Sequence, residues 1–176
     1  MERFLDRLIE RGLQTLLIMS PRALASVPLW SQSLMESAAF IILGALLLKR
    51  VFGASPLILP KWRLLIPIAV FVLIAVIQIM PLPQAVLSYI SPKTAQIHRA
   101  FGNASSSGPL TVSIYPGASI NELLKLLAYA AVFFITINYC KTSERIDRLM
   151  RTVVYTGIGL LSLAILQKLT WNGRLY

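Results

Sequence analysis

The stretch LLIPIAVFVLIAVIQIMPLPQAVLSYISP, residues 64–92, joins two different kinds of segment. Its first part, Leu64 to Met80, carries no charged side chain and reaches the length of about 17–25 apolar residues that crosses a hydrocarbon core. Pro81 and Pro83 end the helix there, because proline has no amide donor and restricts the residue before it. The residues that follow are amphipathic. The stretch therefore predicts a membrane-spanning helix that leads into a surface segment.

The composition of the whole chain agrees with a membrane protein. Hydrophobic residues make up 56% of the sequence and charged residues only 14%, whereas soluble domains carry about 25% charged residues. A net charge of +10 would point to nucleic acid in a soluble protein, but here the basic residues lie between apolar segments, which predicts no nucleic-acid partner. The predicted class is an all-α integral membrane protein.

Five segments are candidates for membrane spans. The strongest are charge-free or carry charges only near their ends, whereas the first is weak because Pro21 and Arg22 interrupt it. The predicted spans are residues 13–29, 34–48, 64–80, 120–140 and 153–169, in a single membrane domain that covers residues 1–176.

The distribution of Lys and Arg predicts the orientation of these spans. Most of the 17 basic residues fall in three short segments, and short cytoplasmic loops are enriched in Lys and Arg. These residues are Arg3, Arg7 and Arg11; Lys49, Arg50, Lys61 and Arg63; and Lys141, Arg145, Arg148 and Arg151. Placing all three segments on the cytoplasmic side of the membrane requires five spans, a cytoplasmic N-terminus and an outward C-terminus.

The first 30 residues allow two other interpretations. A basic start, a short apolar run and Ala-Leu-Ala at 23–25 could form a cleaved signal peptide, although Gln14 and Thr15 make the apolar run weak. The segment ERFLDRLIERGLQTLL, residues 2–17, also has apolar residues at helical spacing. We expect it to form an interfacial helix that leads into the first span.

The segment from 81 to 119 is predicted to face outward as an amphipathic layer. Ser91 followed by Pro92 is a good helix start, and Gly102 would end that helix. Residues 110–115, LTVSIY, alternate apolar and polar side chains, which predicts a short strand-like segment. Ser119 and Glu122 form a capping-box pattern that would begin the next span.

Two pairs of residues are candidate sites. Arg22 would lie inside the first span, where a charged residue usually has an acidic partner, and Glu36 at the start of the second span could supply it. The alternative is that each side chain reaches the interface separately. His98 and Arg99, on the outward helix, could contact a lipid phosphate, or they could belong to a solvated polar face.

The sequence shows no catalytic constellation. It has one His, one Cys and seven acidic residues, so neither a metal cluster nor a nucleophile–base pair can be assembled. The sequence gives no basis for a cofactor, and we predict that the chain is not an enzyme by itself.

Five segments nevertheless resemble one family. LIMSPRALASVPLWSQSLMES (17–37), IQIMPLP (77–83), LSYISP (87–92), LTVSIYPGAS (110–119) and the long segment from Leu123 to Tyr176 are together similar to the N-terminal part of bacterial O-antigen ligase and polymerase-like proteins. The pattern Q-x-x-P-L-P, from Gln78 to Pro83, is the most specific part. The resemblance covers most of the chain from about Leu17, and Arg22 stands where that family usually has an apolar residue.

The resemblance implies a role in polysaccharide biosynthesis with undecaprenyl-diphosphate-linked glycans. The catalytic arginines and histidine of that family lie in later outward loops, and none of them corresponds to a position in this sequence. We therefore expect the N-terminal part of a glycan ligase or polymerase, as a fragment or one half of a split enzyme. The alternative is a non-catalytic accessory subunit of a membrane complex, in contact with lipids and other membrane subunits.

Overall fold

The computed structural model describes residues 2–25, 29–53, 58–101 and 109–170. Seven helices account for 86% of these residues, which confirms the all-α class. They are α1 (Glu2–Ala25), α2 (Leu29–Phe52), α3 (Trp62–Ile79), α4 (Gln84–Ile90), α5 (Pro92–Phe101), α6 (Pro116–Tyr139) and α7 (Ser143–Leu169), with two short strands, β1 (Pro81–Leu82) and β2 (Leu110–Thr111).

Within the described ranges, three helices are long and apolar enough to cross a membrane. They are α3, α6 and α7, with mean hydropathies of 2.4, 1.7 and 1.7 over their most apolar windows. These helices contain the predicted spans 64–80, 120–140 and 153–169 apart from one residue at the end of the first two. Helices α1 and α2 are not among the helices that are long and apolar enough, so the prediction of five spans is not confirmed.

The start of one helix differs from the sequence-based expectation. The capping box at Ser119 and Glu122 is wrong, because α6 already begins at Pro116. The Ser119 hydroxyl instead lies 2.6 Å from that of Ser113, and Glu122 accepts a hydrogen bond from Lys125 at 2.6 Å. Helix α7 begins at Ser143, so the charged segment after α6 and the apolar span form one continuous helix.

Helix α1 continues through Pro21, which was expected to interrupt it. A proline within a helix cannot donate to the carbonyl four residues earlier, which here belongs to Leu17. The Ser20 hydroxyl donates to that same carbonyl at 3.4 Å. A side-chain donor thus replaces the missing backbone donor, and the helix reaches Ala25.

The chain divides into two compact units, residues 1–59 with 131–176 (unit 1) and residues 60–130 (unit 2). The core of unit 1 is built from stripes on three helices. Leu5, Ile9 and Leu13 lie one turn apart on α1, a spacing that aligns side chains along one helix face. The members of this core are Leu5, Ile9, Leu13, Ile42, Ala45, Leu46, Ile135 and Tyr139.

The apolar periodicity of residues 2–17 therefore does form a helix, but its buried stripe contacts protein. Leu5, Ile9 and Leu13 pack against α2 and α6, although the sequence predicts an interfacial helix. Helices α1 and α2 approach each other closely at Gly12, where an added Cβ would lie 2.7 Å from Ile42 Cδ1 and Cγ1. Only glycine fits that position without a shift of the Ile42 side chain.

Unit 2 is held together around the two strands. β1 and β2 pair antiparallel, Pro81 with Thr111 and Leu82 with Leu110, and the Ser113 amide donates to Gln78 O at 2.9 Å. Helix α5 begins at Pro92, as its sequence predicts. Leu87 of α4 is fully buried. Residues 84–90 and 92–101 are therefore helical, as their amphipathic pattern indicates, whereas the strand-like segment predicted at 110–115 is a strand only at Leu110–Thr111.

Candidate functional site

Charged residues from three helices meet at one end of unit 1. Asp6 of α1 forms ion pairs with Lys49 near the end of α2 and with Arg145 near the start of α7, the latter at 3.8 Å. Glu10, one turn further along α1, accepts from Arg148 Nε at 2.6 Å. The start of α1, the end of α2 and the start of α7 therefore lie together.

Arg145 also fixes the connection between α6 and α7. Its guanidinium lies 4.8 Å from the centroid of the Tyr139 ring, a geometry that favours a cation–π contact. It donates to the Tyr139 carbonyl oxygen at 3.4 Å. The Tyr139 ring is buried in the core of unit 1, 2% exposed. One arginine thus joins the last turn of α6, the first turn of α7 and Asp6 of α1.

These contacts surround an open cleft of about 160 Å³, which we call the basic cleft. Ile9 and Leu46 of the core form its apolar part. The polar lining comes from α1, α2, α6 and α7 and the link before α7: Asp6, Lys49, Arg50, Asn138, Tyr139, Lys141 and Arg145. Its volume is roughly ten times the 10–15 Å³ that one water needs, so a small polar group can enter.

The basic cleft carries more positive than negative charge. Four of its lining residues are cationic and one, Asp6, is acidic. The pKa of Lys141 lies below its ordinary value because of desolvation and because Arg50, Lys49 and Arg145 disfavour a further positive charge nearby. Such a concentration of cations from three parts of the chain can attract an anion.

Asn138 lines the same cleft and holds the segment after α2. Its Oδ1 accepts from the Ile58 amide at 2.9 Å, and its Nδ2 donates to the Ile58 carbonyl at 3.0 Å and to Phe134 O at 3.1 Å. The residue is 2% exposed, and these bonds satisfy its amide. A buried polar side chain with this pattern positions a backbone segment.

The four predicted site residues lie elsewhere. Glu36 is half-buried in α2, but the side chain of Arg22 lies outside the described residues, so their ion pair stays a prediction. His98 is half-buried, and its Nε2 lies 3.1 Å from the Thr111 carbonyl oxygen, which ties α5 to β2. The Arg99 side chain also lies outside the described residues, and the lipid-phosphate contact of this pair stays a prediction.

Sequence reasoning identified the basic segments but missed the acidic residues that organise them. Asp6 and Glu10 are one turn apart on α1, and the i, i+4 spacing could have indicated a common face. Glu144 lies one turn before Arg148 on α7, but the short contact of Arg148 is with Glu10 of α1. In the part of the chain that the structure describes, no group of three or more His, Cys, Asp or Glu residues could hold a metal ion.

Comparison of the chain with family models, curated proteins and solved structures gave no match. The resemblance to O-antigen ligase-like proteins is therefore still a prediction that rests on the quoted sequence segments.

Proposed function

We propose that this chain is a non-catalytic accessory subunit of a larger membrane complex, which packs against its partners through the apolar faces of its spanning helices. The observation that carries the proposal is the exposure of two of these helices. Neither α3 nor α7 has a buried residue among those described. Their apolar side chains therefore need a cover of lipid or of another membrane-spanning helix.

Helix α7 has a feature that suits a protein partner. Among the described residues, an added Cβ at Gly157 or Gly159 would meet nothing outside its own helix backbone within 4 Å. In membranes, exposed small residues allow two helix backbones to approach closely, and dispersion contacts then favour association. We therefore assign the Gly159 face of α7 to a transmembrane helix of a partner protein.

The test is recovery of a stoichiometric partner from native membranes in a mild detergent. Gly159→Leu should lower partner recovery severalfold, because its side chain separates the two backbones, while its Cβ has open space among the described residues. Gly44→Leu is the matched control, since a Cβ at Gly44 of α2 also meets nothing within 4 Å. Equal recovery of the partner with both variants, or no partner with the wild type, would refute the proposal.

We also propose five spans in a bacterial inner membrane, with the basic end of unit 1 in the cytoplasm. Support comes from the ion pairs of Asp6 and Glu10, which gather the ends of α1, α2 and α7. If α1 and α2 cross the membrane as a hairpin, the basic start of α1 and the basic end of α2 lie on the same side of the membrane, as the positive-inside rule requires.

A second proposal is a part of a glycan ligase or polymerase that uses undecaprenyl-linked glycans. Its support is that three of the segments that carry the resemblance come together in unit 2. Pro81 and Leu82 pair with Thr111 and Leu110, and α4 lies between them in sequence. Deletion of the gene in its host should then cause lipid-linked glycan to accumulate. An accessory role in a complex that does not transfer glycans predicts normal glycan transfer instead.

A further inference from the structure

The cations of the basic cleft differ in how far the chain itself neutralises them. Lys49 and Arg145 both pair with Asp6, and Arg145 also contacts Tyr139. Lys141 is exposed, and within the described residues its ammonium group has no hydrogen bond or ion pair. Asp6 therefore pairs with two of the four cations of the cleft, and an external anion would find Lys141 available.

Like charges placed so close together repel one another, and an anion bound between them adds attractions that offset this repulsion. The pKa of Lys141 is lowered first by desolvation and then by the nearby cations Arg50, Lys49 and Arg145, so repulsion supplies only part of the shift. Because the cleft is open, salt screens part of the interaction. The chemistry of the lining favours a phosphate group, which arginine and lysine bind well.

The surroundings of the cleft indicate the source of that phosphate. Lys49 and Arg50 lie between two pairs of apolar residues on α2, and all four of these are exposed: Leu47, Leu48, Val51 and Phe52. The floor of the cleft is also apolar, from Ile9 and Leu46. A charged group bordered by exposed apolar side chains at the end of a helix matches the boundary between headgroups and acyl chains.

We propose that the basic cleft binds the phosphodiester headgroup of an anionic lipid. The Lys141 ammonium contacts the phosphate, and Arg50 and Arg145 complete the positive lining. The acyl chains lie along the exposed apolar residues at the end of α2. This site is separate from the Gly159 face of α7, so it does not depend on the proposed partner protein.

The experiment is a titration of the purified full-length chain in detergent with short-chain phosphatidylglycerol, followed by native mass spectrometry. We expect the wild type to bind phosphatidylglycerol in preference to phosphatidylcholine of the same chain length. Lys141→Gln should weaken binding about fivefold, the effect of removing one cation near an anionic headgroup. Lys168→Gln, which removes an exposed lysine from the last turn of α7, should change binding less than twofold.

Two further measurements keep the test decisive. Circular dichroism should show equal helicity for both variants, because the Lys141 side chain makes no hydrogen bond within the described residues. Inorganic phosphate and glycerol phosphate are then added as soluble competitors. Competition at the concentration of the lipid would assign the cleft to a free phosphate and overturn the lipid proposal. Equal binding by Lys141→Gln and Lys168→Gln would show that the cleft is not the site.

Discussion

Asn138 connects two positions that are far apart in the sequence. Its side-chain amide bonds both backbone groups of Ile58 in the way that a neighbouring strand would. The Ile58 segment lies outside regular secondary structure, and backbone groups there need partners from elsewhere. The sequence gives no sign of this role, because a single Asn near the end of an apolar helix is compatible with many contacts.

Replacement of Asn138 by Leu, which has a similar volume, should lower the free energy of unfolding by about 1–3 kcal/mol, since it leaves the Ile58 amide and carbonyl without partners. The measurement is a denaturant or thermal unfolding curve in detergent micelles, followed by circular dichroism. Asn121→Leu is the control, because Asn121 lies on the same helix with an exposed side chain. Equal stability of the two variants would contradict the structural role of Asn138.

At the level of elements, α1 and α2 form a closely packed hairpin. Gly12 faces Ile42, which is 4% exposed and belongs to the core of unit 1. Close approach of two helices through a small residue is a common way to increase contact area in a membrane. The apolar periodicity of α1 predicts that a face is buried, but it does not predict which helix covers that face.

Gly12→Ala should destabilise the chain by up to about 2 kcal/mol, because the overlap of its Cβ with Ile42 in a packed core costs about 1–3 kcal/mol and the gain in helix propensity offsets only about 1 kcal/mol of this cost. Gly44→Ala has open space around its Cβ and should be neutral or stabilising by up to about 1 kcal/mol, the difference in helix propensity. Unfolding curves in the same detergent compare the two. In an Ile42→Ala background the cost of Gly12→Ala should fall, which a double-mutant cycle measures. An unchanged cost in that background would exclude the overlap with Ile42 as its cause.

The described helices show how far local sequence decides an element. Helix α5 begins at Pro92, as predicted, because proline at the first helical position needs no amide donor. Helix α6 does not begin at its capping box, because the Ser119 hydroxyl lies against Ser113 instead. The pattern S-x-x-E is a short local signal, and in the structure the Ser119 hydroxyl contacts Ser113 and does not cap the helix.

At the level of the whole molecule, the ion pairs of α1 bear on the orientation of the chain. Asp6 and Glu10 join basic residues from the second and third basic segments. Helix α6 has 24 residues, which at 1.5 Å per residue is about 36 Å, enough to cross a hydrocarbon core. Its two ends should therefore lie on opposite sides of the membrane.

Single cysteines introduced on either side of α6 test this orientation in a Cys140→Ala background. Thr142→Cys should react with a membrane-impermeant maleimide only after the cytoplasmic side is opened, because Thr142 lies between basic residues. Tyr115→Cys should react from the outside in intact cells. Both wild-type side chains are exposed in the structure. Labelling of both positions from one side would contradict a crossing by α6.

The sequence by itself determined the class of the protein, the three strongest spans and the helices around Pro92, because these depend on apolar length, charge and proline chemistry within a few residues. Only the tertiary structure decided that α1 packs on α2 and α6, that Asn138 holds Ile58, and that Lys49, Arg50, Lys141 and Arg145 line one cleft with Asp6. These features join residues that are distant in the chain, and hydropathy and charge patterns contain no information on which distant faces meet.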